Sequence, residues 1–267
     1  MVEHRQELRR SLPDDPVEGK ADLHIHSAVG DALPTPQEIL DYVAEHTDLA
    51  VIAITDHDDV QGGLQAREIA AQRQYPFEVV VGTEVTTLAG HLLALFVEER
   101  LPMFQSLERT IETVHRQGGL CIAPHPMSWL TFSIGEVLLR RYSRHRSPEL
   151  CLDGLEGFNP SVAGWVCHKR VRALNAKVLG LPELGGSDAH QLLQIGTAYT
   201  LFGGHSAADL RRALLRRETI PCGSFWSASF HLQGAAEQSW KSLVIHPGQK
   251  LCRAIGARLG APRSSSL

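Results

Sequence analysis

Leu49-Ala50-Val51-Ile52-Ala53-Ile54-Thr55-Asp56-His57 decides the fold. It is an almost unbroken apolar run, as a strand buried on both faces of a parallel sheet should be, and it ends in two residues of metal-ligating type. Other segments of the chain have the same form. Asp22-Leu23-His24-Ile25-His26 closes a short strand upstream, and Gly82-Thr83-Glu84, Pro124-His125-Pro126 and Ser187-Asp188-Ala189-His190 follow apolar runs downstream. These five groups of His, Asp and Glu span about 170 residues, each at the end of a predicted strand, so the fold must gather strand ends. The economical reason to gather neutral imidazoles and carboxylates is to hold several divalent ions. On this reading the chain is a multinuclear metal hydrolase.

Helices are predicted between the strands. Thr35 caps one that opens with Pro36, carries Glu38 three residues after the cap and runs to about His46. Gln61–Arg73, Ser106–Gln117, Ser133–Arg141, Ala163–Leu179 and Ser206–Arg217 read as further helices, with Gly118-Gly119 stopping the second of these and Ser206 capping the last. The remaining strands fall at Glu78–Val81, His91–Val97, Leu120–Ala123, Gly154–Phe158, Leu184–Gly186 and Thr197–Phe202, with His91–Val97 a candidate hairpin partner of its predecessor. Strand–helix alternation implies a parallel sheet. In a closed barrel the C-terminal strand ends converge on one face, whereas in an open sheet few of the five groups would meet. A barrel domain over 21–220 is therefore expected, between a polar N-terminal extension, 1–20, and a C-terminal appendage, 221–267, that packs on the barrel or is loosely ordered. Within the appendage Phe225, Trp226, Phe230 and Trp240 supply apolar area, and Lys250–Leu259 reads as a weakly amphipathic helix.

The bulk numbers are those of an ordinary soluble protein: 267 residues, 43% hydrophobic, 21% charged. A net charge of −4 argues against a generic polyanion-binding surface. Five cysteines without a C-x-x-C pair suit a reducing compartment. Without an apolar leader or a run long enough to span a bilayer, the expected location is cytoplasmic, with no membrane partner. The H-E-x-x-H, G-x-x-x-x-G-K-[ST] and G-x-G-x-x-G patterns are absent.

Each ligand group alone is modest evidence. His24 and His26 lie two apart and so on one side of a strand, and Asp188 and His190 repeat that spacing after Gly185-Gly186, which permits close backbone approach. Asp31 sits in a Gly-containing loop, Asp58 and Asp59 crowd His57, and His91 precedes an apolar strand. A strand-end carboxylate such as Glu84 can bridge two ions, which an imidazole cannot do.

The motifs Asp22-Leu23-His24-Ile25-His26-Ser27, Ile54-Thr55-Asp56-His57-Asp58, Gly82-Thr83-Glu84-Val85, His125-Pro126 and Gly186-Ser187-Asp188-Ala189-His190 together resemble the PHP (polymerase and histidinol phosphatase) family of metal phosphoesterases. The likeness covers roughly Ala21 to Thr219 and includes the strand Asp153–Asn159. It implies an α/β fold, a distorted (β/α)7 TIM-like barrel with the metal site at the C-terminal ends of the strands. It also implies two to three divalent ions (Mn, Fe or Zn). One would be held by His24, His26, Glu84 and Asp188, a second by Glu84, His91 and His125, and a third by Asp31, His57 and His190. Glu84, Asp188 and His190 would act in catalysis through the bound metals and a metal-bridging hydroxide. The expected substrate is a nucleotide or another small phosphomonoester. The alternatives are an exonuclease-like phosphodiesterase on short oligonucleotides and, in another class, a non-catalytic metal-bound module. Arg140, Arg141 and Arg144, after Trp129 and Phe132, and Asn159 are candidate substrate contacts, because Arg forks onto phosphate and aromatic rings stack on bases. Lys169-Arg170 is a second possible phosphate contact, and His168 a remote candidate for general acid.

Overall fold

The computed structural model of the chain describes residues 18–227. The expectations for Phe230, Trp240 and Lys250–Leu259 lie outside the described residues, as does most of the N-terminal extension. Strands β1 (Glu18–Ile25), β2 (Val51–Ile54), β3 (Glu78–Thr87), β4 (Gly90–Leu95), β5 (Leu120–Ala123), β6 (Gly154–Phe158), β7 (Glu183–Gly185), β8 (Ala198–Gly203) and β9 (Ile220–Gly223) form one sheet in the order β7-β6-β5-β4-β3-β2-β1-β8-β9. The sheet curls into a nearly closed barrel. Its ends meet where Gly185 N donates to Thr200 Oγ1, Ser187 N to Asp22 and Ala189 N to His24 O.

Two features depart from the simple alternation. The sheet holds nine strands rather than seven, and it is not all parallel. β3 continues past Val81 through Glu84 to Thr87, and β4 pairs back on it antiparallel, Glu84 opposite Leu93. Glu84 is therefore a mid-strand residue. β8 runs antiparallel to β1, and β9 pairs antiparallel with β8, so the sheet extends just past the expected domain boundary.

Helix α1 (Pro36–His46) begins at Thr35 with the full capping box, the Thr35 side chain accepting from Glu38 N and the Glu38 carboxylate from Thr35 N. α2 is Gln61–Arg73, and α3 (Leu107–Arg116) buries Leu107, Thr110, Ile111 and Val114, the spacing of one helical face. α4 is Glu136–Tyr142. The single helix expected over Ala163–Leu179 is instead broken into α5 (Val162–Trp165), α6 (His168–Leu174) and a π-helical turn, Asn175–Leu179. The buried Asn175 amide ends this stretch by bonding both the N–H and the C=O of Leu181. α7 (Ala207–Arg216) is capped by Ser206.

The core has layers. Ala21, Leu23, Val51, Ala53, Leu93, Ile122, Leu184 and Phe202 pack with Leu210 and Leu214 of α7. Ile25, Ile52, Ile54 and Val79 pack with Ile39, Leu40 and Val43 of α1. Val85, Leu92, Ala94, Cys121 and Leu155 meet Ile111 and Val114 of α3. Fully burying one such side chain contributes about 1.5–3 kcal/mol. This apolar support fixes the strand ends that carry the polar site. Among the described residues no helix is long and apolar enough to cross a membrane.

Candidate metal centre

All nine residues expected as metal ligands converge at the C-terminal end of the barrel. Glu84 is buried at the centre, with its two oxygens facing different imidazoles. Oε1 lies 3.0 Å from His91 Nδ1 and 3.0 Å from His125 Nε2. Oε2 lies 3.2 Å from His24 Nε2, 3.4 Å from His26 Nε2 and 3.4 Å from His57 Nδ1. Asp188 Oδ1 is 3.4 Å from His26 Nε2 and 3.6 Å from His24 Nε2. Asp31 Oδ1 is 3.5 Å from His190 Nε2 and 3.9 Å from His26 Nδ1. Three overlapping ligand groups result: His24, His26 and Glu84; His57, Glu84 and His91; and His26, Asp31, His57 and His190. His57 thus stands between two groups, where the sequence placed it in one.

These donors fit divalent cations. Ligands about 2.1 Å from a shared ion lie about 3.0–3.4 Å apart across the edge of an octahedron or tetrahedron, close to the separations observed. Both ring nitrogens of His26 and Nδ1 of His91 have no hydrogen-bond partner among the described residues, although carboxylates stand beside them. Buried polar atoms are rarely left in that state.

The inward-facing nitrogens are aimed by partners behind the rings. His24 Nδ1 meets Glu156 Oε1 at 2.7 Å, His125 Nδ1 meets Ser133 Oγ at 2.8 Å, and His190 Nδ1 meets the Asp188 carbonyl at 3.0 Å. Such outer contacts fix the tautomer and orientation of metal-binding histidines. Glu156 does more, accepting from the backbone N–H of His125 at 2.6 Å and from Asn159 Nδ2 at 3.0 Å. Gly186 admits it: a Cβ there would stand 2.6 Å from Glu156 Oε1 and 2.9 Å from His24 Cβ. Asp22 accepts from the N–H groups of Ser187 and Gly196, tying β1 to the segment that carries Asp188. Asp56 accepts from Ser27 N at 2.6 Å and Ser27 Oγ at 2.7 Å. Sequence reasoning missed Glu156 and Asp22 as site residues. Their signal was a carboxylate inside a buried strand, which must find partners.

Two of the gathered residues hold strained backbone. His125 has φ +30° and Asp188 φ +56°, in the left-handed region that branched or bulky residues avoid. Strain of that kind costs about 1–3 kcal/mol and clusters at functional sites.

The electrostatics is that of a dense ion-pair array. Burial opposes charge on Glu84 and Asp188, but the surrounding imidazoles outweigh it and hold both carboxyls well below the usual range. Burial also opposes charge on the His190 ring, yet Asp31 lifts it to about 9. His57 is pushed down to about 4, chiefly by burial. Asp22 and Asp56 are raised by burial, to about 6 and about 7.

The expected substrate contacts are placed differently. Arg140 is held by Glu136, its Nε and NH2 donating at 2.9 and 2.7 Å; the Arg141 guanidinium lies over Tyr142; Arg144 is exposed just beyond α4. Asn159 is in the site but supports ligands. Its Nδ2 reaches Glu156 and, at 3.4 Å, Asp188 Oδ2, while its Oδ1 accepts from Ser161. His168 has Nδ1 bonded to the Gly157 carbonyl and its ring edge-on to Phe158 and Phe225.

Comparison with known proteins agrees with this fold. Residues 170–219 match the family model described as PHP-associated. An uncharacterised protein of Methanocaldococcus jannaschii is 38% identical over 175 residues, which are 61% of this chain and 94% of that protein. A 3',5'-nucleoside bisphosphate phosphatase of Chromobacterium violaceum is 36% identical over 85 residues, 30% of this chain and 29% of that enzyme. Among solved structures, a two-domain protein of Bacteroides vulgatus containing a predicted PHP-like metal-dependent phosphoesterase aligns with TM-score 0.62 and 21% identity over 80% of this chain and 68% of its own. PsfC of Pseudomonas syringae aligns with TM-score 0.62 and 18% identity over 83% of this chain and 98% of its own. At these identities the structural likenesses show the fold.

Proposed function

Because the chain belongs to the PHP family of metal-dependent phosphoesterases, we propose that it hydrolyses a phosphoester of a nucleotide or another small phosphomonoester at a site for up to three divalent cations. The observation that carries this reading is Glu84. It is one buried carboxylate whose oxygens face separate sets of imidazoles, as a bridging ligand requires. His24, His26, Glu84 and Asp188 would hold one ion, Glu84, His91 and His125 a second, and Asp31, His57 and His190 a third. When bound, such ions acidify a water to serve as nucleophile and offset charge on the phosphate oxygens.

The chain's own residues set the geometry. Asn159 and Glu156 position Asp188, His24 and His125 through the hydrogen bonds described above, and the left-handed turns at His125 and Asp188 aim their side chains inward. The partial similarity to a nucleoside bisphosphate phosphatase supports a nucleotide substrate. The complete donor set speaks against a non-catalytic module.

The test is phosphate release from a panel of mononucleotides, sugar phosphates and short oligonucleotides with added Mn²⁺, beside the His24→Ala and Asp188→Ala variants. Release by the wild type and its loss in both variants is the expected result. Preference for the oligonucleotides would favour the phosphodiesterase reading. No release from any substrate by metal-loaded wild type would sink the proposal.

A further inference from the structure

The structure exposes aromatic side chains on the segments that follow β5 and β6, next to positive charge. Trp129 is 76% exposed and Trp165 64% exposed. Both line a cavity of about 490 Å³ together with Phe225, His168, Lys169 and Arg170. Its volume lies within the range of about 300–1,000 Å³ common for small-molecule sites. One wall grows from the end of β5: Trp129 is four residues past His125, and Phe132 of the same loop sets its ring edge-on to His91. The other wall grows from the end of β6, where Ser161 caps α5 and is tied to Asn159. The cavity thus rises from two strand ends, one of which leads to the candidate ligand His125 and the other to Asn159, which holds Glu156 and Asp188.

We propose that this cleft binds the base of a nucleoside phosphate whose phosphate lies at the Glu84 site. The proposal rests on the phosphoesterase reading and deepens it by assigning the place where the base of a nucleotide substrate is held. An indole left in water exposes apolar face that a stacked ring would cover, and planar bases stack on Trp whatever their sequence. The lining residues Phe225 and His168 form a second aromatic set with Phe158, with centroids 4.7–5.3 Å apart. Lys169 makes no ion pair among the described residues, and Arg170 spends only one terminal nitrogen, at 2.7 Å, on Glu136. These two cations suit an anionic ligand. A purely apolar partner would leave them uncompensated, and a peptide would not need the pair of broad stacking faces.

The test separates base binding from chemistry. Equilibrium dialysis of labelled adenosine, AMP and ribose 5-phosphate against the full chain is compared for wild type, Trp129→Ala, Trp165→Ala and Trp165→Phe, with kcat/KM for AMP and ribose 5-phosphate measured on the Mn²⁺-loaded proteins. Both tryptophans are mostly solvated, so their removal leaves the core filled. The expected result is that adenosine binds the wild type and that each Ala variant weakens it about 5- to 150-fold, the value of one stacked base. Trp165→Phe should restore most of the loss, and ribose 5-phosphate should be indifferent to all three changes. Adenosine that does not bind, or that binds wild type and Ala variants alike, overturns the proposal, even if phosphate is released. Adenosine bound through the two indoles with no phosphate released from AMP leaves the cleft in place and overturns the phosphoesterase reading instead.

Discussion

Glu156→Gln removes one charge and changes almost no volume, so it isolates what the carboxylate behind His24 does. Glu156 is 3% exposed and makes three contacts. Oε1 faces His24 Nδ1 at 2.7 Å, while Oε2 accepts from the His125 N–H at 2.6 Å and from Asn159 Nδ2 at 3.0 Å. A glutamine amide nitrogen cannot take the Oε2 place, because it would confront two donors. It must face His24, and Nδ1 must then accept. The ring proton moves to Nε2, the nitrogen aimed at Glu84, and His24 can no longer ligate in that tautomer. Loss of such an outer partner costs about 10–100-fold in metal affinity, or about 1.4–2.8 kcal/mol. The fold keeps both Oε2 hydrogen bonds, so the melting temperature of the metal-free protein should fall by only about 2–4 °C, equivalent to about 1 kcal/mol. Titration of Mn²⁺ or Zn²⁺ against a competing chromophoric chelator measures the affinity. Phosphate release at limiting metal should fall with it and recover in excess metal. Unchanged metal affinity in Glu156→Gln would refute the tautomer argument.

Gly62→Ala would normally stabilise a helix, but here the new Cβ would stand 1.9 Å from Asp56 Oδ2 and 2.7 Å from Ser27 Oγ. A loss of stability of about 1–3 kcal/mol, read as a lower urea midpoint, is expected, and an unchanged or higher midpoint would contradict it. The His115 ring is raised above its ordinary 6.5, first by its hydrogen bond to Asp153, 2.8 Å away. A raised histidine stabilises fully below the unfolded pKa and loses that contribution as pH rises through the folded one. The melting temperature of wild type should therefore exceed that of His115→Gln most below about pH 6.5, with the gap shrinking at alkaline pH; a gap that widens with pH would be wrong for this pair. Because Arg140 is engaged by Glu136 and Arg144 is exposed, the double variant Arg140→Ala/Arg144→Ala should keep its kcat/KM. A loss beyond about tenfold, or 1.4 kcal/mol, would restore them as substrate contacts.

Much of the site was legible because strand periodicity and buried apolar runs place side chains without further information. His24 and His26 share a side, their ring centroids 5.0 Å apart, and Val51–Ile54 is buried throughout, so Asp56 and His57 had to emerge at its end. The caps at Thr35 and Ser206 were equally plain, since each begins a helix whose first turn needs an acceptor. Strand direction was not legible. Ala198–Gly203 alternates buried and half-buried residues, which identifies a strand with one solvated face but not whether it runs with or against β1. Nor was the full length of β3, because Thr83-Glu84-Val85-Thr86-Thr87 reads as a polar exit until His91–Leu95 pairs against it. Glu156 stayed hidden because its partners come from segments 31 and 132 residues away in sequence. The arginines at and after α4 were not decisive, because charge density marks a solvated helix end as readily as a phosphate site.

The central claim is that one buried carboxylate, Glu84, organises a multinuclear metal site. Native mass spectrometry after reconstitution with Mn²⁺ or Zn²⁺, on wild type and Glu84→Gln, tests it most directly, with circular dichroism to show that both are folded. The account predicts more than one ion per wild-type chain, up to one for each of the three ligand groups around the barrel mouth, and at most one in Glu84→Gln. A wild type that takes up a single ion or none, or a folded variant that retains the wild-type number, would contradict it.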